Sequence, residues 1–271
     1  MSLQQKVIVI TGASSGIGKA LATAALARGA SVALCARNLQ KLRESFQENE
    51  RVLLFQTDVS QEADCSRFIA ATVQQFQRID ILINNAGISM RALFEEAELR
   101  VLKELMDINF WGAVYCTKYS LPYITKQKGV IVGVSSIAGY RGLPGHTGYS
   151  ASKFALQGFL EALRTELLHT GTDVLWFSPG FTASNIRNVA RAADGSSQGE
   201  TPLPEDKLMS AETSAALMLD AIEKRKRTLV MTLQGKVTVW LNKLFPGITD
   251  RLVYRHFLNE PGSPLQKRKQ P

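Results

Sequence analysis

Cysteine is scarce and carries no pattern. The three residues, Cys35, Cys65 and Cys116, are odd in number, widely spaced and never arranged as C-x-x-C, so neither a disulfide framework nor a zinc site is indicated. They are expected to be reduced thiols of a cytoplasmic protein. No apolar run reaches the length that spans a bilayer. The chain starts almost directly on the apolar residues 7–10, which leaves no room for the charged and apolar segments of a secretory signal. The expectation is a protein in solution or bound at a surface. No internal repeat is visible, and low complexity is confined to the glycine–serine patch at 195–199. Acidic residues are in deficit, 24 against 32 basic ones, for a net charge of +8 and a pI near 9.5. Such a balance attracts phosphates, anionic lipid or nucleic acid. The basic clusters at 224–227 and 267–269 have no accompanying aromatic stacking module, so a nucleic-acid partner is not expected.

What is present is an ordinary globular composition, 45% apolar and 21% charged over 271 residues, enough for one large α/β domain or two small ones. Short β-branched runs at 6–11, 31–36, 52–56, 81–84, 129–135, 173–178 and 228–232 alternate with helical patterns at 16–28, 39–47, 61–76, 99–117, 149–169 and 211–224. The strands are nearly continuously apolar, as expected when helices cover both faces of a parallel sheet. The fold class is therefore α/β: a Rossmann-like doubly wound parallel sheet of about seven strands, with helices on both faces and its ligand edge at the strand ends. Residues 1–234 are assigned to this domain. Between 181 and 209 no strong periodicity survives, and residues 182–208 are expected to form a substrate lid. Residues 235–271 are assigned to an amphipathic C-terminal extension and basic tail.

After the first strand comes T-G-A-S-S-G-I-G, with Gly12, Gly16 and Gly18 leading into a helix. Glycines permit a tight turn and close backbone approach, and the helix start offers free N–H groups and positive potential to a pyrophosphate. Between a first strand and first helix, such a turn favours a nucleotide. The second strand ends C-A-R-N. Where a ribose hydroxyl would be met by an acid, this chain has Ala36, and Arg37 follows, which can hold a 2′-phosphate by charge-assisted bonds. NADP(H) is the expected cofactor in preference to NAD(H). In Y-S-A-S-K, Tyr149 and Lys153 stand four apart, on one face of a helix. That spacing alone fits both an exposed Tyr near a Lys and a phenol tuned for proton transfer.

With N-N-A-G at residues 84–87, N-F-W-G at 109–112, V-S-S-I-A-G at 134–139, Tyr149-x-x-x-Lys153 and P-G at 179–180, the sequence resembles the short-chain dehydrogenase/reductase family from about residue 6 to 232. The resemblance implies that Tyr149 is the catalytic acid/base. Lys153 would activate it and bind the cofactor ribose, Ser136 would orient the carbonyl, and Asn109 would anchor a proton-relay water. Ser136 is chosen over Ser135 because the family's serine lies thirteen residues before its tyrosine. Cofactor contacts are expected from Gly12, Ser14, Ser15, Gly16, Ile17, Gly18 and Arg37, then from Asp58 and Val59 on the adenine side. Asn84, Ala86, Gly87, Tyr149, Lys153, Pro179, Gly180, Thr182 and Ser184 would complete the set. Ser184 replaces the family's usual Thr, and Ser15 stands where many NADP users carry a basic residue.

The activity so implied is interconversion of a ketone and a secondary alcohol by hydride transfer. A free phenol, with pKa about 10, is a poor base at neutral pH, and a nearby ammonium together with an oxidised nicotinamide is expected to lower it. Small-molecule carbonyl or alcohol substrates and assembly as a homo-dimer or homo-tetramer go with this reading. His146, near Tyr149, receives no catalytic role and is assigned to a pocket wall or the surface. Beyond the last strand Val237, Trp240, Leu241, Leu244, Phe245 and Ile248, then Leu252, Val253, Tyr254 and Phe257, follow helical spacing with basic residues between them. That stretch packs on its own domain or a partner subunit, or lies in a membrane interface through residues 235–260, where lipid-like ketones would be met. A catalytically silent NADP-binding sensor or scaffold, and an epimerase or dehydratase on the same fold, are the competing classes.

Overall fold

The computed structural model describes residues 1–180, 182, 186–199 and 208–269, without the side chains of 267–269. Seven strands, β1 (Val7–Thr11), β2 (Ser31–Ala36), β3 (Val52–Gln56), β4 (Ile81–Asn84), β5 (Val130–Val134), β6 (Asp173–Ser178) and β7 (Thr228–Val230), form one sheet. The order is β3-β2-β1-β4-β5-β6-β7, and every pairing is parallel. Helices α1 (Gly16–Ala27), α2 (Leu39–Arg43), α3 (Glu62–Phe76), α4 (Leu99–Met106), α5 (Gly112–Lys126), α6 (Thr147–Glu166) and α7 (Ala211–Glu223) cover it.

The continuous apolar strands have a direct cause. Alternate residues of one strand point to opposite faces, and both faces are roofed. Ile8 and Ile10 pack with Leu21 of α1 and Leu219 of α7 in one core. Val9 between them packs with Phe68 of α3, Cys116 of α5 and Leu160 of α6 in the other. Cys35, Cys65 and Cys116 are all free and buried in that second layer.

Several boundaries differ from the sequence expectation, each for a local reason. Helix α2 stops at Arg43 because the chain turns back there: the N–H groups of Ser45 and Phe46 both donate to Leu42 O, and Phe46 becomes buried. The pattern at 99–117 is not one helix. A π-helical turn, Asp107–Trp111, separates α4 from α5, and α5 continues to Lys126 with Pro122 inside it. Strand β7 ends at Val230, because Thr232 turns to cap the next helix, its Oγ1 accepting from Gly235 N at 3.1 Å.

The C-terminal pattern folds as two helices, α8 (Leu233–Leu244) and α9 (Pro246–Leu258), with Pro246 at the first position of α9, where its missing N–H is harmless. Val253 and Phe257 of α9 pack with Leu93 and Leu265. No helix among the described residues is long and apolar enough to cross a membrane.

Order reverses between β1 and β4, which are neighbours although two strands lie between them in the chain. The crevice outside the strand ends at that reversal is where this architecture binds ligands.

Candidate active site

A cleft of about 460 Å³ opens there, lined by the turn after β1, the ends of β2 to β6 and the first turn of α6. The glycine turn forms its floor. Gly12 has φ +67°, and a Cβ there would stand 2.8 Å from Ala86 Cα. At Gly18 a Cβ would meet Gly12 O at 2.3 Å, so β1 and α1 can be this close only without side chains. Ser14, Ser15, Gly16 and Ile17 complete the lining, and no side chain caps the start of α1. Its first N–H groups therefore keep their positive potential for an anion. Asn85 fixes the turn from the next strand, its Nδ2 donating to Thr11 O at 2.9 Å and Gly12 O at 3.2 Å.

Beyond the turn, Ala36, Arg37, Asp58 and Val59 line the β2 side of the cleft. Lys41, one turn after Arg37, lines it too, and the sequence reading missed it. The only signal was its spacing from Arg37 across a helix start. Asn38 makes that placement, its Oδ1 capping α2 by accepting from Lys41 N at 3.0 Å. These residues suit a dinucleotide: an uncapped helix start for a pyrophosphate, apolar Val59 for an adenine face, and two cations that add positive charge along the same side.

On the other side of the reversal, Ser136, Tyr149 and Lys153 line the same cleft, with Ala86, Gly87, Pro179, Gly180 and Thr182. Helix α6 starts at Thr147, two residues before the expected boundary, so Tyr149 sits in its first turn and Lys153 in its second. Lys153 is buried, its Nζ donating to Val134 O at 2.9 Å and lying 5.7 Å from the centroid of the Tyr149 ring. Burial pushes the Lys153 ammonium down to about 8.

The protein alone does not acidify the phenol. Burial raises the Tyr149 pKa, and the Ser136 hydroxyl opposes that rise. The ammonium donates to the Val134 carbonyl and lies near the Tyr149 ring. By itself it does not make the phenol acidic.

The two serines at the end of β5 divide their work. Ser135 Oγ accepts from Gln157 Nε2 at 2.8 Å and is buried, whereas Ser136 Oγ caps the short turn Ile137–Gly139 at the cleft wall. Asn84 and Asn109 lie behind the wall. Asn84 Nδ2 donates to Thr117 Oγ1 at 3.0 Å. Asn109, in the π-helical turn, is fully engaged: Oδ1 accepts from Ile88 N at 2.8 Å, and Nδ2 donates to Ile88 O and Ser152 Oγ, both at 2.9 Å. Ser152 Oγ donates in turn to Tyr149 O at 2.8 Å. This serine, inside Y-S-A-S-K, was not singled out from sequence, yet it joins Asn109 to the backbone of Tyr149. Of the expected set, Ser184 lies outside the described residues, as do 183, 185 and 200–207 of the lid.

Comparisons with known proteins place the chain in a family. A short chain dehydrogenase family profile matches residues 6–195. The chain belongs to the short-chain dehydrogenase/reductase family of oxidoreductases. Dehydrogenase/reductase SDR family member 7B of Mus musculus is 34% identical over 93% of this chain and 81% of its own. An 11-beta-hydroxysteroid dehydrogenase A of Sesamum indicum is 32% identical over 96% of this chain and 77% of its own. Among solved structures, a Burkholderia cenocepacia short chain dehydrogenase in complex with NADP has TM-score 0.80 at 22% identity, covering 93% of this chain and 99% of its own. A Burkholderia phymatum relative in complex with NAD also has TM-score 0.80 at 22% identity, covering 92% and 96%. That likeness is one of fold. Family members act on small molecules, and both dinucleotides occur among the neighbours.

The buried ammonium sets a stability test. Its pKa lies below the unfolded lysine value of 10.5, so the charged form is the one the fold disfavours. The penalty is full below pH about 8 and is relieved as pH rises to 10.5, where the unfolded chain also loses its proton. Lys153→Met should stabilise the protein by about 2 kcal/mol at neutral pH, after allowing for the lost bond to Val134 O. The gain should shrink in alkali. Urea melts of both proteins across pH read this directly, and a variant less stable at neutral pH would contradict it.

Proposed function

We propose that the protein is an NADP(H)-dependent oxidoreductase interconverting a ketone and a secondary alcohol, with Tyr149 as the general acid/base. The observation that carries the reading is the convergence of Ser136, Tyr149 and Lys153 on the cleft that also contains the glycine turn and Arg37. A bound nicotinamide would supply or accept the hydride. The chain does the rest. Ser136 Oγ donates to the substrate oxygen and holds the carbonyl toward Tyr149. The Tyr149 hydroxyl passes its proton to that oxygen as negative charge develops there.

The raised phenol pKa suits this direction, since a protonated phenol is the acid that reduction needs. In alcohol oxidation the same oxygen must accept a proton, so that direction should gain with rising pH. Lys153 contributes positive charge beside the ring and a donor for the cofactor ribose. Asn109 acts from behind, through Ile88 and Ser152, as a positioning residue. Residues 182–208 are the segment we assign to the substrate lid.

The NADP(H) preference rests on Arg37 and Lys41 lining the cleft just past Ala36, where no acid stands. A catalytically silent sensor would need the glycine turn and these cations but not a serine, phenol and amine gathered in one wall. The test is NADPH consumption with a panel of ketones. Tyr149→Phe should cut kcat by about a thousandfold while NADPH still binds by fluorescence titration; an active variant would end the mechanism. Wild type should prefer NADPH over NADH by about tenfold or more in kcat/KM, and the double variant Arg37→Ser, Lys41→Ser should lose that preference through KM. Equal use of both cofactors by the wild type would remove the two cations from the argument.

A second placement has its own observation. Leu233, Val237, Trp240, Leu244, Phe245, Ile248 and Leu252 are all exposed on α8 and α9, with Lys236, Lys243, Arg251 and Arg255 also facing solvent around them. An apolar patch rimmed by cations complements an anionic lipid surface. We assign this face to peripheral membrane contact by an otherwise cytoplasmic enzyme. Wild-type protein should float with anionic vesicles, and Trp240→Glu combined with Leu244→Glu should leave it at the bottom of the gradient. Wild type that stays down with the vesicles present would refute the assignment.

A further inference from the structure

The cleft has a second polar end that the hydride-transfer chemistry does not use. It lies on the β5 side, away from Arg37, where three distant segments meet: Arg91 from the segment after β4, His146 before α6, and Glu260 just beyond α9. All three line the cleft, with Leu143 and Phe257 as its apolar wall. His146 is the residue that caps α6, three positions before Tyr149, so the two side chains start within about one helical turn, roughly 5 Å along the axis.

The protonation pattern of this end follows from its bonds. His146 Nδ1 lies 2.9 Å from Pro144 O. A carbonyl oxygen only accepts, so Nδ1 carries the hydrogen. Burial lowers the His146 pKa, and the positive charge of Arg91 lowers it further. The imidazole is neutral at physiological pH and presents Nε2 as a lone pair, for which no described residue supplies a donor.

Arg91 is held by two partners, donating through Nη2 to Pro261 O at 2.8 Å and to Glu260 Oε2 at 3.4 Å. The second distance is long for a charge-assisted bond, and it is the only side-chain bond Glu260 makes among the described residues. Glu260 is nonetheless buried. The end of the cleft thus offers two acceptors, His146 Nε2 and the Glu260 carboxyl, beside the Arg91 guanidinium, and Arg187 also lines the cleft with its charge acting on Glu260. Phe257 closes the site by setting its ring against His146, centroids 5.6 Å apart.

Charge and donor count select among ligands. A carboxylate would meet Arg91 but would face Glu260 and a bare lone pair. An ammonium would suit the two acceptors but would face Arg91. A neutral hydroxyl donates to His146 Nε2 while accepting from the guanidinium, and Glu260 keeps its bond to Arg91.

We propose that Arg91, His146 and Glu260 form a distal subsite that binds a hydroxyl group on the substrate, so that the preferred substrates are ketones with an apolar body and an alcohol at the end remote from the reacting carbonyl. This rests on the carbonyl-reductase reading of the cleft. It also makes the C-terminal segment part of the substrate site, because Glu260 and Phe257 both lie beyond the nucleotide-binding fold.

The test uses the full chain with NADPH and three ketones of increasing length: cyclohexanone, decalone and perhydrophenanthrenone. Each is supplied as the parent, as the alcohol at the ring carbon farthest from the ketone, and as the methyl ether of that alcohol. The ether keeps an acceptor oxygen and loses only the donor. For at least one length the alcohol should exceed both parent and ether by about tenfold or more in kcat/KM, mostly through KM. His146→Phe and, separately, Glu260→Gln should each reduce that preference several-fold while leaving kcat for the parent ketone within about threefold of wild type.

Calorimetric titration of the NADP-loaded protein with the same alcohol and ether reads the subsite even if no hydride is transferred. Consumption of NADPH with no preference for any alcohol, or equal binding of alcohol and ether at every length, overturns the subsite and leaves the reductase reading standing. Selective binding of an alcohol without consumption of any ketone overturns the reductase reading instead. Melting curves for Glu260→Gln and His146→Phe identify a variant that fails only because it unfolds; if His146→Phe does so, the Glu260→Gln comparison and the wild-type alcohol–ether pair decide.

Discussion

The ammonium of Lys153, buried against the last carbonyl of β5, is the constraint on which the site is built. Nothing about folding favours it. An amine in that position is desolvated, and its pKa falls from 10.5 to about 8 as a result. The fold tolerates it because Val134 O receives one of its hydrogens and because α6 is clamped to the sheet by Leu156 and Leu160. Once the amine is fixed there, Tyr149, one turn earlier on the same helix, has little choice but to face the cleft. The ring then lies against a cation while its oxygen is left to Ser136. Burial keeps the phenol protonated in the protein alone.

The same economy of position governs the other side of the sheet reversal. Gly12 and Gly18 bring β1, β4 and α1 so close that any side chain would collide with backbone. The closeness leaves the start of α1 uncapped and pointing into the cleft, a polar liability in an apo protein that becomes a binding site for phosphate. Arg37 and Lys41 extend that positive field along the β2 side. An anionic ligand spanning the turn and the two cations would thus relieve unfavourable features of the protein as it binds. That is the physical sense in which the cleft is preorganised.

Much of this was legible in the chain. The continuous apolar strands announced a sheet covered on both faces, and Ile8, Val9 and Ile10 do go alternately to its two cores. The glycine turn, Ala36 and Arg37 lie along one edge because parallel strands all end on the same side. Properties that depend on distance across the fold were not legible. Lys41 joins the cleft only because Asn38 caps α2 and turns it inward. The π-helical turn at Asn109 and the continuation of α5 past Pro122 break the local rules that set the expected boundaries, and packing overrides propensity there. The raised phenol pKa comes from burial by the whole fold, which spacing along one helix does not reveal.

The C-terminal helices illustrate the same limit in a form that bears on function. Read as a pattern, residues 235–271 are an amphipathic appendage with one apolar stripe. In the fold their apolar residues serve two opposite faces. Val253 and Phe257 turn inward to the satellite core and the cleft, and the chain after α9 delivers Glu260 to a partner, Arg91, 169 residues away. Trp240, Leu244, Ile248 and Leu252 turn outward. One helix thus walls the cleft through Phe257 and presents exposed apolar residues on its other side. The extension is thus structurally continuous with the nucleotide-binding domain, since Phe257 and Glu260 both line the cleft.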